Sequence, residues 1–139
     1  MRGLPRLLTL ALPVTKAHPL IAVVDGEEPV RTALMRLMRS AGLTVETFGS
    51  GAEFLKSLET GLPDCVVLDL HVPHMDGFNV QTHLARTCAA LPVIIVTGHD
   101  FPKAGERAMA GGASAFLRKP VHARTLLDAI SAATTCAAR

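Results

Sequence analysis

The sequence predicts an α/β fold: a doubly wound parallel sheet of five strands interleaved with five helices. Two patterns carry that expectation. From Pro19 onward, short β-branched runs alternate with helical stretches five times, and such alternation implies parallel strands joined by right-handed helical crossovers. Three of the runs are apolar almost throughout, as strands covered on both faces should be. At 139 residues, of which 49% are hydrophobic, the chain has the length of one domain and ample material for one core.

The first strand, β1 (20–24), is LIAVV and runs directly into Asp25. In the first helix, α1 (29–41), Val30, Leu34, Leu37, Met38 and Ala41 recur at near-helical spacing, with Arg31, Arg36 and Arg39 elsewhere on the wheel. Pro29 suits a first helical position and Gly42 a stop just past the end. TVETF, β2 (44–48), alternates and reads as an edge strand. A short helix, α2 (50–58), leads to CVVLD, β3 (65–69). Asp76 and Gly77, after Pro73, make a turn and cap α3 (78–88). VIIVT is β4 (93–97), followed by α4 (102–110) and a Gly111–Gly112 loop. SAFLR, β5 (114–118), precedes α5 (121–133).

Composition narrows the function. A net charge of +2, from 14 basic and 12 acidic residues, gives no global nucleic-acid signature, and the absence of Trp and Tyr removes most stacking platforms for single strands. Cys65, Cys88 and Cys136 are odd in number and without a CxxC, which fits a reduced, cytoplasmic setting. The stretch Leu7 to Val14 is too short to span a bilayer, and Pro13 breaks it. Residues 1–17 therefore read as an extension, 18–135 as the domain and 136–139 as a tail. There is no room for a second domain.

Ligands of an open parallel sheet bind at the carboxyl ends of its strands. Here β1 ends on Asp25, β3 on Asp69 and β4 on Thr97, and Lys119 follows β5. Crossovers of one hand put all four on one rim. Two carboxylates, a hydroxyl and an ammonium should converge there. Carboxylates suit a hard cation such as Mg2+, and a carboxylate beside it can act as a phosphoryl-accepting nucleophile. The Asp25-Gly26-Glu27-Glu28 stretch argues against a nucleotide-binding enzyme, because it lacks a glycine-rich loop and would repel a nucleotide phosphate.

The segment VVLDLHVPHMDGF (66–78), with VVD, VTG and FLRKP at matching intervals, resembles response-regulator receiver domains of two-component systems, in particular the FixJ-like group. The resemblance covers about residues 19–133. It implies a flavodoxin-like sheet in the order 2-1-3-4-5. By the same resemblance Asp69 is the phosphoacceptor, Asp25 a metal-site acid and the His71 backbone carbonyl a Mg2+ ligand. Thr97 is the switch hydroxyl, Phe116 the switch aromatic and Lys119 the phosphoryl-pairing lysine. Lys119–Pro120 takes the place of the family's cis peptide. The implied partners are a sensor histidine kinase and an output domain or downstream protein reached through α4-β5-α5, where Lys103, Arg107, Arg118 and Arg124 lie. A homodimer is a further partner the resemblance allows. Direct nucleic-acid binding and membrane attachment are not implied.

One position departs from the pattern: receivers carry a second acid where this chain has Gly26. Three readings stay open. Glu27 stands in, helped by the loose backbone of Gly26, Glu28 being held extended by Pro29. Or the site binds Mg2+ more weakly and still works. Or the domain is a degenerate pseudo-receiver, a phosphorylation-independent interaction module. His71, His74, His99 and His122 all follow strand ends and read as solvated loop residues rather than a metal cluster, though the His71 side chain stands beside the acceptor. Met35 and the arginines of α1 form a candidate partner face.

Overall fold

Alternation along each strand divides its side chains between two layers. Ala22, Val24, Val66, Leu68, Val93 and Ile95 pack on one face of the sheet with Phe54, Phe78, Leu84 and Ala108. Ile21, Val23, Cys65, Val67, Ile94 and Val96 point the other way, onto Leu34, Met38, Leu126 and Ile130. The first layer is therefore closed by α2, α3 and α4, and the second by α1 and α5. Burying each large side chain contributes roughly 1.5–3 kcal/mol, so both faces must be covered for the central strands to be stable.

A computed structural model describes residues 18–98 and 102–137, except for the side chains of residues 136 and 137. The expected extension (1–17), His99 and the last two tail residues lie outside the described residues. The strands are β1 Leu20–Val24, β2 Thr44–Phe48, β3 Cys65–Leu68, β4 Val93–Thr97 and β5 Ala115–Arg118. The helices are α1 Glu28–Ser40, α2 Gly51–Ser57, α3 Gly77–Thr87, α4 Ala104–Ala110 and α5 Ala123–Ala137. All strand pairs are parallel, in the order β2-β1-β3-β4-β5, as the sequence implies.

Several boundaries differ from expectation for identifiable reasons. The helix α1 begins one residue before Pro29, with Glu27 as its N-cap, and Gly42 beyond its end takes a φ of 88°. Asp69 stands one residue past β3 rather than on it. The start of α4 moves from residue 102 to Ala104, because Lys103 adopts a left-handed φ of 56°. The far end of α5 reaches Ala137, past both the expected helix end at 133 and the expected domain end at 135. No glycine or proline follows Ala133 to stop it, and the Thr134 hydroxyl donates back to the Ile130 carbonyl at 2.8 Å.

Gly77 has a different reason from the turn expected of it. A Cβ there would stand 2.6 Å from Leu70 Cα and 2.8 Å from the Asp69 carbonyl oxygen. The start of α3, capped by the Asp76 side chain at 2.9 Å from the Asn79 N–H, thus abuts the backbone that carries Asp69. Because the obstacle is main chain rather than a flexible side-chain tip, Gly77→Ala is expected to destabilise the fold by about 1–3 kcal/mol. Urea unfolding would measure the loss.

Candidate functional site

The sheet hydrogen bonding continues one residue beyond β1 and β3, and this places both carboxylates on the rim. The Asp25 N–H donates to the Phe48 carbonyl at 3.1 Å, and the Asp69 N–H to the Val24 carbonyl at 2.9 Å. On the far side, the Lys119 N–H donates to the Thr97 carbonyl at 2.9 Å. Asp25, Asp69 and Thr97 are 2%, 4% and 0% exposed. The Lys119–Pro120 peptide is cis.

Lys119 closes the arrangement. Its Nζ lies 2.6 Å from Asp25 Oδ2 and 3.2 Å from Asp69 Oδ2. The two aspartates reach this ammonium from the ends of β1 and β3, at sequence separations of 94 and 50. Each remaining carboxylate oxygen takes a local backbone donor: Glu27 N–H at 2.9 Å from Asp25 Oδ1, and His71 N–H at 3.2 Å from Asp69 Oδ1. Burial pushes the Asp69 pKa above the ordinary carboxylate value, with the Asp25 charge adding to it; the His71 N–H and Lys119 oppose the rise without cancelling it. Burial would lower the Lys119 pKa, but its bond to Asp25 and the charges of both aspartates outweigh that and raise it.

Two carboxylates against one ammonium leave one net negative charge in a nearly dry site. The donors are hard oxygens, and the His71 carbonyl faces the same rim: a Cβ at Gly26 would come 3.6 Å from it. Mg2+ asks for one or two carboxylates, with water completing its octahedron, so these residues fit it. Among the described residues no three His, Cys, Asp or Glu side chains group closely enough to hold a metal. The Glu27 carboxylate therefore does not join the aspartates as a stand-in ligand. Glu27 is exposed, and its backbone N–H, not its side chain, engages Asp25. His71, His74 and His122 are exposed as well and form no such group.

The family profile described as "Response regulator receiver domain" matches residues 21–131. The chain belongs to the response-regulator receiver family. Nodulation protein W of Bradyrhizobium diazoefficiens is 43% identical over 120 residues, covering 86% of this chain and 52% of that protein. Response regulator protein TodT of Pseudomonas putida is 39% identical over 114 residues, covering 81% and 50%. The receiver thus spans about half the length of these relatives. Among solved structures, a response regulator receiver protein from Burkholderia phymatum is 39% identical with a TM-score of 0.75, covering 84% of this chain and 94% of that one. FixJ-N is 29% identical with a TM-score of 0.78, covering 86% and 95%.

The rest of the receiver shows what surrounds the rim. The half-buried Phe116 ring packs on α4 at Gly105, whose Cβ would come 3.4 Å from it, and the Arg118 guanidinium lies 5.4 Å from the ring centre. Lys103, Arg107, Arg118 and Arg124 are exposed, and Arg107 stacks over Phe78 at 4.0 Å. Sequence reasoning missed two residues. Gln81, buried on α3, donates from Nε2 to the Ala108 carbonyl of α4 at 2.6 Å and fills the space beside Gly111. Arg31 does not stand on an open arginine face of α1: it is half-buried, and its Nη1 donates to the Asp25 carbonyl at 2.8 Å.

The raised Asp69 pKa has a stability consequence. The folded state holds that proton more tightly than the unfolded chain does, so ionising Asp69 costs stability above its folded pKa. The cost disappears as pH falls toward the unfolded value of about 3.9. Asp69→Asn is therefore expected to raise the Tm at pH 7, with the gain shrinking on acidification. Lys119 works in the opposite sense: its contribution is fully present at neutral pH and is lost only as pH rises through its raised folded value. Paired thermal melts across pH would check both directions.

Proposed function

We propose that this receiver accepts a phosphoryl group on Asp69 from the phosphohistidine of a sensor histidine kinase. A carboxylate oxygen of Asp69 forms the new O–P bond as the N–P bond of the donor breaks, and the donor imidazole leaves with the electron pair. The observation that carries this reading is the double bridge of Lys119 to Asp25 and Asp69. Two buried carboxylates and an ammonium within hydrogen-bonding reach support the reading, in a family built around phosphoacceptor aspartates.

Asp25, Asp69 and the His71 carbonyl are the residues that would hold Mg2+. When bound, Mg2+ neutralises charge on the transferring group. Lys119 is released from Asp69 as that carboxylate is converted to the acyl phosphate, and its ammonium then pairs with a phosphoryl oxygen. The Thr97 hydroxyl is the second donor to that group, and Phe116 carries the change to α4-β5-α5. The reading assigns residues 18–137 to the receiver, the preceding residues to an extension and the whole to the cytoplasm. Its further partners are an output domain or a second copy at α4-β5-α5. The chain acts as a signalling domain whose only catalysis is on its own phosphorylation and dephosphorylation. No helix among the described residues is long and apolar enough to cross a membrane.

Gly26 favours one second reading, a pseudo-receiver that signals through protein contacts without phosphorylation. Acetyl phosphate with millimolar Mg2+ separates the two. The proposal expects the mass gain of one phosphoryl group, absent in Asp69→Asn. No gain at any Mg2+ concentration would favour the second reading.

Position 26 also makes a direct test of the metal site. A Cβ there points toward the His71 carbonyl and meets Pro73 Cδ at 3.0 Å, a contact relieved by a shift of a few tenths of an ångström. Gly26→Asp is expected to tighten Mg2+ binding by about 10–100-fold, at least the size of the effect of outer-shell partners. A Mg2+ titration followed by amide chemical shifts at Asp69 and His71 would measure it.

A further inference from the structure

We infer that Arg31 is a positioning residue for the acidic site, clamping the Asp25 main chain against the bare face of Gly49. The inference rests on the phosphoacceptor reading for its functional consequence. The clamp itself rests on geometry alone. Arg31 Nη1 donates to the Asp25 carbonyl at 2.8 Å. A Cβ on Gly49 would come 3.3, 3.6 and 3.8 Å from Arg31 Nη1, Cζ and Nη2. Three atoms of one planar group at such similar distances mean that the guanidinium lies flat over Gly49.

The place of this contact gives it meaning. Val24 pairs with Phe48 in the sheet, so Asp25 and Gly49 are the next residues on the two adjoining strands. The guanidinium therefore bridges the loops that leave β1 and β2, at the point where the Asp25 carboxylate turns into the site. Its own backbone is tied to the same loop, since the Arg31 N–H donates to the Glu27 carbonyl at 3.0 Å. Arg36 and Arg39 on the same helix are exposed, whereas Arg31 is half-buried.

Gly26 makes such a clamp necessary. It follows the clamped carbonyl directly, offers no side chain, and has the widest conformational freedom of any residue. With no acid at position 26, Asp25 is the one β1 carboxylate in the site, and where it stands decides what the site can hold. A lysine would supply one donor but not a planar group spanning both loops, so Arg31→Lys is expected to restore only part of the effect.

The test uses the whole chain and Mg2+ alone as the probe. Arg31→Gln is expected to weaken Mg2+ binding by about 10-fold, with a smaller loss in Arg31→Lys. Labelling by acetyl phosphate is expected to recover as Mg2+ is raised, because the loss is one of metal affinity. A loss confined to metal affinity separates positioning from a general loss of structure. Gly49→Ala offers an independent variant: it leaves Arg31 in place, and its methyl, 3.3 Å from Nη1, pushes the guanidinium by a few tenths of an ångström. Unchanged Mg2+ affinity in both Arg31→Gln and Gly49→Ala would overturn the inference. A metal-free readout keeps it distinct from the phosphoacceptor reading. Release of the clamp is expected to speed amide exchange at Glu27, whose N–H is held by Asp25 Oδ1, by about 10-fold relative to the central strands. If the parent binds no Mg2+, the phosphoacceptor reading fails, and unchanged exchange at Glu27 would still overturn the clamp by itself.

Discussion

Two carboxylates taken almost wholly out of water share one ammonium, and the rim of the sheet is organised around that imbalance. Asp25 and Asp69 are too buried to be screened and too close to ignore each other. Lys119 offsets one charge, and the Glu27 and His71 backbone N–H groups stabilise the remainder. A buried charge that is only partly paired is costly. The fold retains it because the surrounding sheet fixes the positions: strands packed on both faces cannot relax to bring in water. The cost is local, and it is what a cation or a phosphoryl-transfer event would relieve.

That rim was legible from the sequence because a parallel sheet leaves little freedom. Once the strands are parallel and the crossovers share one hand, every strand's carboxyl end lies on the same side. A polar residue ending an apolar run then has only one place to go. Asp25, Asp69, Thr97 and Lys119 could be gathered without coordinates for that reason, although Asp69 turned out to stand just beyond its strand. Arg31 could not. Its position on the helical wheel says which way it leaves α1, but not that a glycine on a neighbouring loop leaves a flat space for it. Gln81 was hidden likewise: one amide on an amphipathic helix looks like a surface residue until α4 is packed over it. The close approach at Gly77 was not visible beside its place in the capped turn, because a turn glycine and a close-approach glycine look the same in a sequence. Only the Leu70 and Asp69 backbone behind it tells them apart.

Gly26 connects these points. The missing acid leaves the site with less negative charge and the β1–α1 loop with less restraint. The first change lowers the attraction for a divalent cation. The second is opposed by the Arg31 contact and by the Glu27 N–H bond to Asp25, so the remaining acid keeps its place. A site that loses a ligand but keeps its geometry differs from one that has simply decayed. The buried Asp69 and its bridge to Lys119 are both present.

The path from the rim to the signalling face is short. Thr97 pairs with Arg118 in the sheet, Lys119 follows directly, and Phe116 lies two residues before Arg118 on the same strand. Phe116 rests against Gly105 in the first half of α4, whereas Gln81 anchors Ala108 in the second half. In the proposed switch, movement of Phe116 would therefore bear on the first half of α4 while Gln81 holds the second. Driving a two-state surface from 1:99 to 99:1 takes about 5.5 kcal/mol of differential binding. Hydrogen bonds to a charged group contribute about 1.5–3 kcal/mol each, and the phosphoryl group gains at most two of them, from Thr97 and Lys119. Together those two bonds supply about 3–6 kcal/mol, a range that brackets the requirement. Under the phosphoacceptor reading, the contacts of Thr97 and Lys119 with a phosphoryl group are therefore of the size needed to shift the α4-β5-α5 surface.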